Sequence, residues 1–193
     1  RAGIVTISGT AAVAQAPTTE RDDLYKAIEG VQLQRGSAVG SGILISLAEL
    51  LPGAGIDAQK IINAASDEGR REPQGVALGA GRTQGGAAAP AQGGAANPPE
   101  KSPTTVEPGS NRSNAIVLLT DGQGNTGPDA IKMAELAAQH GVRIFTVGVG
   151  TTEGITLNAQ GMSMRVRLDE ELLKKIADIT QGEYFRASSA PLS

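Results

Sequence analysis

Apolar positions along the chain switch between the spacing of strands and the spacing of helices. Gly3-Ile4-Val5-Thr6-Ile7 is a short β-branched run that predicts a strand, and a second strand is expected around Ala11–Gln15, ending at Pro17. Thr19 stands where it can cap a helix through Asp22, Leu24, Ala27 and Ile28, which Gly30 closes. After Ser37, the residues Val39, Ile43, Leu44, Leu47 and Leu50 recur at spacings of three and four, a helix stopped by Pro52-Gly53. Residues 57–66 continue the helical pattern more weakly. Ala115–Leu119 is an uninterrupted apolar run, as expected for a strand covered on both faces. It ends in Thr120-Asp121-Gly122 and a polar, Gly-rich loop. A helix follows from about Asp129 to His140 and ends at Gly141; Val142–Val149 is a further strand; residues 155–167 suggest a hairpin with Gly161 near its turn. Asp169 is placed to cap the last helix, with Leu168 and Leu173 as a hydrophobic staple. Glu170 and Glu171 occupy its first turn, where the helix dipole favours them. Gly182 closes that helix, and Tyr184-Phe185-Arg186 forms a final short strand.

Strands alternating with helices imply an α/β protein with a mainly parallel, doubly wound sheet and helices on both faces. In such sheets the functional crevice lies at the carboxyl ends of the strands. Two loops fall there, Gln34–Ser41 and Thr120–Pro128. The pattern is interrupted between them. Residues 73–113 contain 22 Gly, Ala or Pro among 41 and no aromatic residue, too little apolar surface to offset the entropy of ordering the segment. The chain therefore divides into a first part, 1–69, a flexible Gly/Ala/Pro-rich insertion, 70–114, and a second part, 115–193. Proteolysis within the insertion is expected to be rapid.

Composition then narrows the chemistry. With no Cys and one His, His140, the chain builds no disulfide, no Cys-ligated zinc site, no Cys nucleophile and no His-rich metal centre. Four aromatic residues and a net charge of −3 make a poor nucleic-acid surface. No apolar run approaches a membrane-spanning length and no signal peptide is visible. The first residue is Arg1 and not Met, which suggests a piece of a longer protein, so that either feature could lie upstream.

Asp121 leads the candidate residues. A carboxylate at a strand end, among Thr120, Gln123, Asn125 and Thr126, suits a hard cation such as Mg²⁺ or Ca²⁺. It equally suits an Asp that organises the turn. An EF-hand reading fails, because Lys132 stands where the bidentate Glu belongs and Thr126 where the Gly belongs. Ser37 sits at a helix N-cap position, and its hydroxyl could cap, ligate or do both. His140 lies in a last helical turn with no Ser or Asp partner in sequence. Glu153 occupies the third Gly position of a dinucleotide fingerprint after Gly148-x-Gly150, and no phosphate loop or Gly-x-Ser-x-Gly occurs. A hydrolase built on Asp121 and His140 is the enzyme alternative, without a recognised nucleophile–base spacing; no catalysis is expected.

At this level of detail a family resemblance emerges. Ala115–Gly127, with its Leu-Leu-Thr-Asp-Gly core, resembles the fourth-strand signature of von Willebrand factor A (vWA) domains. Val142–Thr151 resembles the next strand, Arg35–Gly40 the loop that carries a metal-ligating Thr, Arg1–Ser8 the second strand and Leu168–Ala187 the usual ending. The similarity is greatest to bacterial membrane-anchored, BatA-like members of the aerotolerance-operon type. It implies a Rossmann-like vWA fold and a protein-binding module that uses a metal-ion-dependent adhesion site, with Mg²⁺ the usual ion. Asp121 matches the family's third-loop Asp, and Ser37 matches its Thr, keeping the hydroxyl. A partner protein commonly contributes a carboxylate to the ion. The resemblance further implies a MoxR-type ATPase partnership and a membrane-anchored parent in the cell envelope. The family's Asp-x-Ser-x-Ser loop is absent: none of the Asp residues at 22, 23, 57, 67, 121, 129, 169 and 178 begins it. That places the first strand, first helix and remaining ligands outside this chain, so the metal site here is partial. The alternative is a metal-independent structural or assembly domain of a membrane-anchored complex.

Overall fold

A computed structural model describes residues 1–31, 37–70, 106–124, 126–151, 153–159 and 162–187. The elements run β1 (Ala2–Ile7), β2 (Ala11–Thr18), α1 (Arg21–Glu29), α2 (Val39–Leu50), α3 (Ala58–Arg70), β3 (Ala115–Thr120), α4 (Ala130–Gln139), β4 (Arg143–Gly148), β5 (Ile155–Ala159), β6 (Met162–Val166), α5 (Glu170–Ile179) and β7 (Tyr184–Arg186). The chain is α/β, with a parallel sheet in the order β3-β4-β7 and two antiparallel ribbons, β1-β2 and β5-β6. Ala115 pairs with Arg143 and Thr120 with Gly148 at the two ends of the β3–β4 ladder.

One face of the parallel sheet carries the core. Ile116, Leu118, Ile144 and Thr146 point to the same side by strand register and are buried. Against them lie Ile43, Leu44 and Leu47 of α2, Ala134 and Ala137 of α4, and Leu173 and Ile176 of α5. The opposite face differs from the sequence expectation for Ala115–Leu119. Val117 is 60% exposed and Leu119 64%. They are in register with Phe145 and Val147, which are half-buried, and with Phe185 beyond, which is exposed. Among the described residues, α2, α4 and α5 all join the core on the Ile116 side, so the apolar run of β3 is covered on one face only.

The β1–β2 ribbon has no ladder to β3 among the described residues. It is tied to the rest through α2: the Ala38 amide donates to the Ser8 carbonyl at 2.7 Å, and the Ile7 side chain lies where a side chain at Gly42 would point. Strand β2 runs through Pro17 to Thr18, further than expected; a ribbon edge tolerates a residue without an N–H.

Two caps and one helix end depart from the sequence reading. Helix α1 is preceded by Glu20 with no side-chain cap bond; the Thr19 hydroxyl instead approaches the Glu20 carboxylate. The residue before α2 is Ala38, not Ser37, again without a side-chain cap. Its amide is drawn to Ser8, a tertiary bond that sequence spacing does not reveal. Helix α3 runs past the expected end to Arg70, with the Lys60 amide on the Asp57 carboxylate. The cap of α5 is as expected, with Asp169 accepting from the Leu172 amide; at α4, Asp129 accepts from the Ile131 and Lys132 amides. Leu168 and Leu173 are both buried beside the latter.

Most of the expected insertion, 71–105, lies outside the described residues, as does Gly161. The end of the insertion is bound to the turn between α4 and β4: the Val106 amide donates to the Gln139 carbonyl and the Asn111 amide to Gly141. The Asn111 side chain accepts from the Ser113 and Asn114 amides, which turns the chain into β3.

Thr180, fully buried after α5, links helix to sheet. Its Oγ1 accepts from the Ile144 amide at 3.0 Å and lies 3.0 Å from the Ile176 carbonyl, to which it donates. The hydroxyl thereby satisfies a strand amide ahead of the point where β7 begins its pairing at Tyr184. Thr180→Val keeps the shape and strands that amide, so it is expected to cost about 1–3 kcal/mol in urea unfolding. Thr180→Ser should recover most of the loss; equal stability of Thr180→Val and the parent would contradict this role.

Candidate functional site

The carboxyl end of β3 is built by short-range bonds. The Thr120 carbonyl accepts from Val149, carrying the ladder one step past β4. The Asp121 Oδ1 accepts from the Gln123 amide at 3.0 Å and lies 3.5 Å from the Thr120 hydroxyl. The Asp121 carbonyl accepts from the Asp169 amide at 2.8 Å, which fastens the loop to the start of α5. Gly122 is required here twice. Its φ of +77° is open chiefly to glycine, and a Cβ would lie 2.8 Å from the Asp169 carbonyl oxygen.

Three segments meet at this end of the sheet. The Thr126 hydroxyl donates to the Gly9 carbonyl at 3.3 Å, joining the loop after β3 to the turn after β1. The same turn holds Ala38 through Ser8. Gly124 packs on Val39 and beside the Ser37 carbonyl, and Gly40 lies directly against the Pro128 carbonyl. The two loops singled out from sequence therefore converge, with residues 34–36 and Asn125 outside the described residues. The contribution of Ser8-Gly9 was not read from sequence; the turn residues Ser8, Gly9 and Thr10 after an apolar strand were its available signal. A cleft of about 350 Å³ opens beside the loop, between Gly40, Gly124 and Asp129.

The donors are hard oxygens, which fit Mg²⁺ or Ca²⁺ by type. Among the described residues, the hydrogen bonds of the Asp121 carboxylate to Gln123 and Thr120 fall on Oδ1. In number they fall short of the six or more oxygens such ions take. Among the described residues, no three His, Cys, Asp or Glu side chains cluster as a metal site. The turn-organising role of Asp121 is present in the geometry.

His140 is not brought to this end. It follows α4 and precedes β4, at the amino end of the strands, while Asp121 follows β3 at the carboxyl end. A six-residue strand separates the two ends by about 20 Å. Elsewhere, Glu170 at the start of α5 receives Lys174 at 3.1 Å and Arg186 at 3.4 Å. The Lys174 hydrogen bond is the main cause of a Glu170 pKa below the usual carboxylate value. Partial burial, with the Glu170 charge nearby, raises that of Tyr184.

Residues 99–192 match the von Willebrand factor type A domain family. Over 97% of its length the chain is 29% identical to a UPF0353 protein of Nocardia farcinica, covering 46% of that protein. It is 31% and 32% identical to UPF0353 proteins of Mycolicibacterium gilvum and Mycolicibacterium vanbaalenii, covering 43% of each. The chain spans less than half the length of these relatives. Its fold is similar to that of an aerotolerance-related membrane protein from Bacteroides fragilis (TM-score 0.59, 16% identity, 97% of this chain and 71% of that one). BatB from Bacteroides thetaiotaomicron is similarly related (TM-score 0.60, 18% identity, the same coverage). The second half of the chain thus matches the vWA family, and the fold is similar to that of bacterial aerotolerance-related and BatB proteins.

Proposed function

We propose that this vWA domain binds a protein partner through a divalent cation, Mg²⁺ or Ca²⁺, held in part by the Asp121 carboxylate and the Ser37 hydroxyl. The observation that supports the reading is the convergence of the Ser37 segment and the Asp121 loop at the carboxyl end of β3, fastened by the Gly124 and Gly40 contacts. The ion would supply an electrophilic centre that a partner carboxylate can enter. Asp121 would orient its carboxylate through the Gln123 amide, and Asp169 would hold the loop from below. The remaining ligands would come from residues outside this chain and from water. The domain is read as non-enzymatic, consistent with the separation of Asp121 from His140.

The partner is proposed to be a MoxR-type ATPase system, and the setting a membrane-anchored protein of the cell envelope. Among the described residues no helix is long and apolar enough to cross a membrane, so anchoring would fall to other segments. A metal-independent assembly role is the second reading; it is favoured by the lack of an acidic cluster among the described residues.

Asp121→Ala, made in a polypeptide that extends this chain to the length of its relatives, is the discriminating variant. Binding to a purified MoxR-type ATPase in Mg²⁺ should weaken by about tenfold or more, and chelation should then have no further effect. Binding that is unchanged by the substitution and by chelator supports the assembly reading and removes the metal one.

A further inference from the structure

We propose that β2 pairs with β2 of a second copy of this chain, antiparallel and about a two-fold axis at Val13. This rests on neither the metal nor the partner reading. Among the described residues β2 is laddered to β1 alone, so its outer edge carries N–H and C=O groups with no strand beside them. Proteins blunt such edges with charge, shortness or a covering element. Strand β7, laddered only to β4, is blunted in two of these ways: it is three residues long and carries Arg186, which is paired with Glu170. Strand β2 is eight residues long, and no charged residue occurs from Ser8 to Thr19. Ala12, Val13 and Ala14 are consecutive and all exposed, so little of either face of the strand is covered there.

The sequence of the strand limits the occupant and its register. Pro17 has no N–H to offer a ladder, and the Ala16 carbonyl already accepts from the Gln15 side-chain amide at 3.2 Å. The usable edge is therefore Ala11–Gln15, and its centre is Val13. Self-pairing about that centre sets Val13 opposite Val13, Ala12 opposite Ala14 and Ala11 opposite Gln15. Like charges opposite one another would oppose such pairing, and this run has none; a β-branched pair at the axis favours it. Strand addition by a foreign peptide draws its specificity from pockets for alternate side chains. An uncharged, alanine-rich edge has neither pocket nor charge with which to select one. A second copy needs no such selection, because the two-fold axis repeats the same contacts on both sides. Five paired residues make a small interface, so the dimer is expected to exchange with monomer and to fill as concentration rises.

The chain has no Cys, so single-cysteine variants report the register directly. Under mild oxidation Val13→Cys should form a disulfide-linked dimer about fivefold or more faster than Ala11→Cys or Gln15→Cys, since the residue at the axis is the one that faces its own copy. Mixing Ala11→Cys with Gln15→Cys should restore fast cross-linking, as those positions lie opposite one another. Lys132→Cys, exposed on α4, gives the rate of random collision. Ala14→Lys places a charge on the edge at an exposed position; in sedimentation equilibrium it should raise the dimer dissociation constant about tenfold or more, with the urea midpoint unchanged. Cross-linking of Val13→Cys no faster than that of Lys132→Cys, or equal rates at residues 11, 13 and 15, would overturn the proposal. Association that persists undiminished in Ala14→Lys would place the contact elsewhere and overturn it too, as would a parent chain that stays monomeric at every concentration.

Discussion

Gly40→Ala is expected to lower stability by about 2 kcal/mol or more, although alanine is the better helix former. Helix propensity alone favours the change by about 1 kcal/mol. The added methyl, however, would overlap the Pro128 carbonyl and lie 3.2 Å from the Ala130 amide nitrogen. Both are backbone atoms. Overpacking typically costs about 1–3 kcal/mol where side chains can move, and here no side-chain rotation relieves it. The loop after β3 would have to shift, carrying Asp121 with it. Urea unfolding measures the loss. Gly53→Ala is the control: nothing lies within 4 Å of its Cβ position, and the midpoint should move little. Equal midpoints for both variants would show that α2 does not seat on the Pro128 segment.

Leu173→Ala is expected to cost about 2–5 kcal/mol, the range for deleting a fully buried leucine side chain. Leu173 is 0% exposed and belongs to the hydrophobic core of the described residues. Its side chain lies 3.2 Å from where a Gly122 Cβ would be, directly under the Asp121 loop, and its carbonyl accepts from the buried Thr146 hydroxyl. The cavity therefore opens at the point where α5 supports the site. Leu173→Met, close in volume, should cost less than about 1.5 kcal/mol. Similar losses for both substitutions would mean that volume is not what matters at this position.

The parts of the fold legible in the sequence were those fixed by neighbours in the chain. The α5 cap, its staple and the Asp121 turn each involve residues within a few positions of one another, so spacing alone reveals them. Ser37 was misplaced by one residue because a bond from Ala38 to Ser8 decides where α2 begins. The exposure of Val117 and Leu119 was illegible for a related reason. An apolar run states what a strand can bury, while the number of faces actually covered depends on distant segments. The link between Thr180 and Ile144, 36 residues apart, was likewise beyond any local pattern.

The candidate site divides in the same way. Asp121 at a strand end was visible from sequence, and so was the loop of Ser37. Their approach, fixed by Gly124 on Val39 and by Thr126 on Gly9, required the fold. The separation of Asp121 from His140 also required it, because parallel strands send the two residues to opposite ends of the sheet.

Calorimetric titration of Mg²⁺ into a polypeptide that extends this chain to the length of its relatives, beside its Asp121→Ala variant, tests the central claim most directly. Saturable binding in the parent, weakened about tenfold or more in Asp121→Ala, is the expected result. No Mg²⁺ binding by the parent, or the same affinity in both proteins, would contradict it.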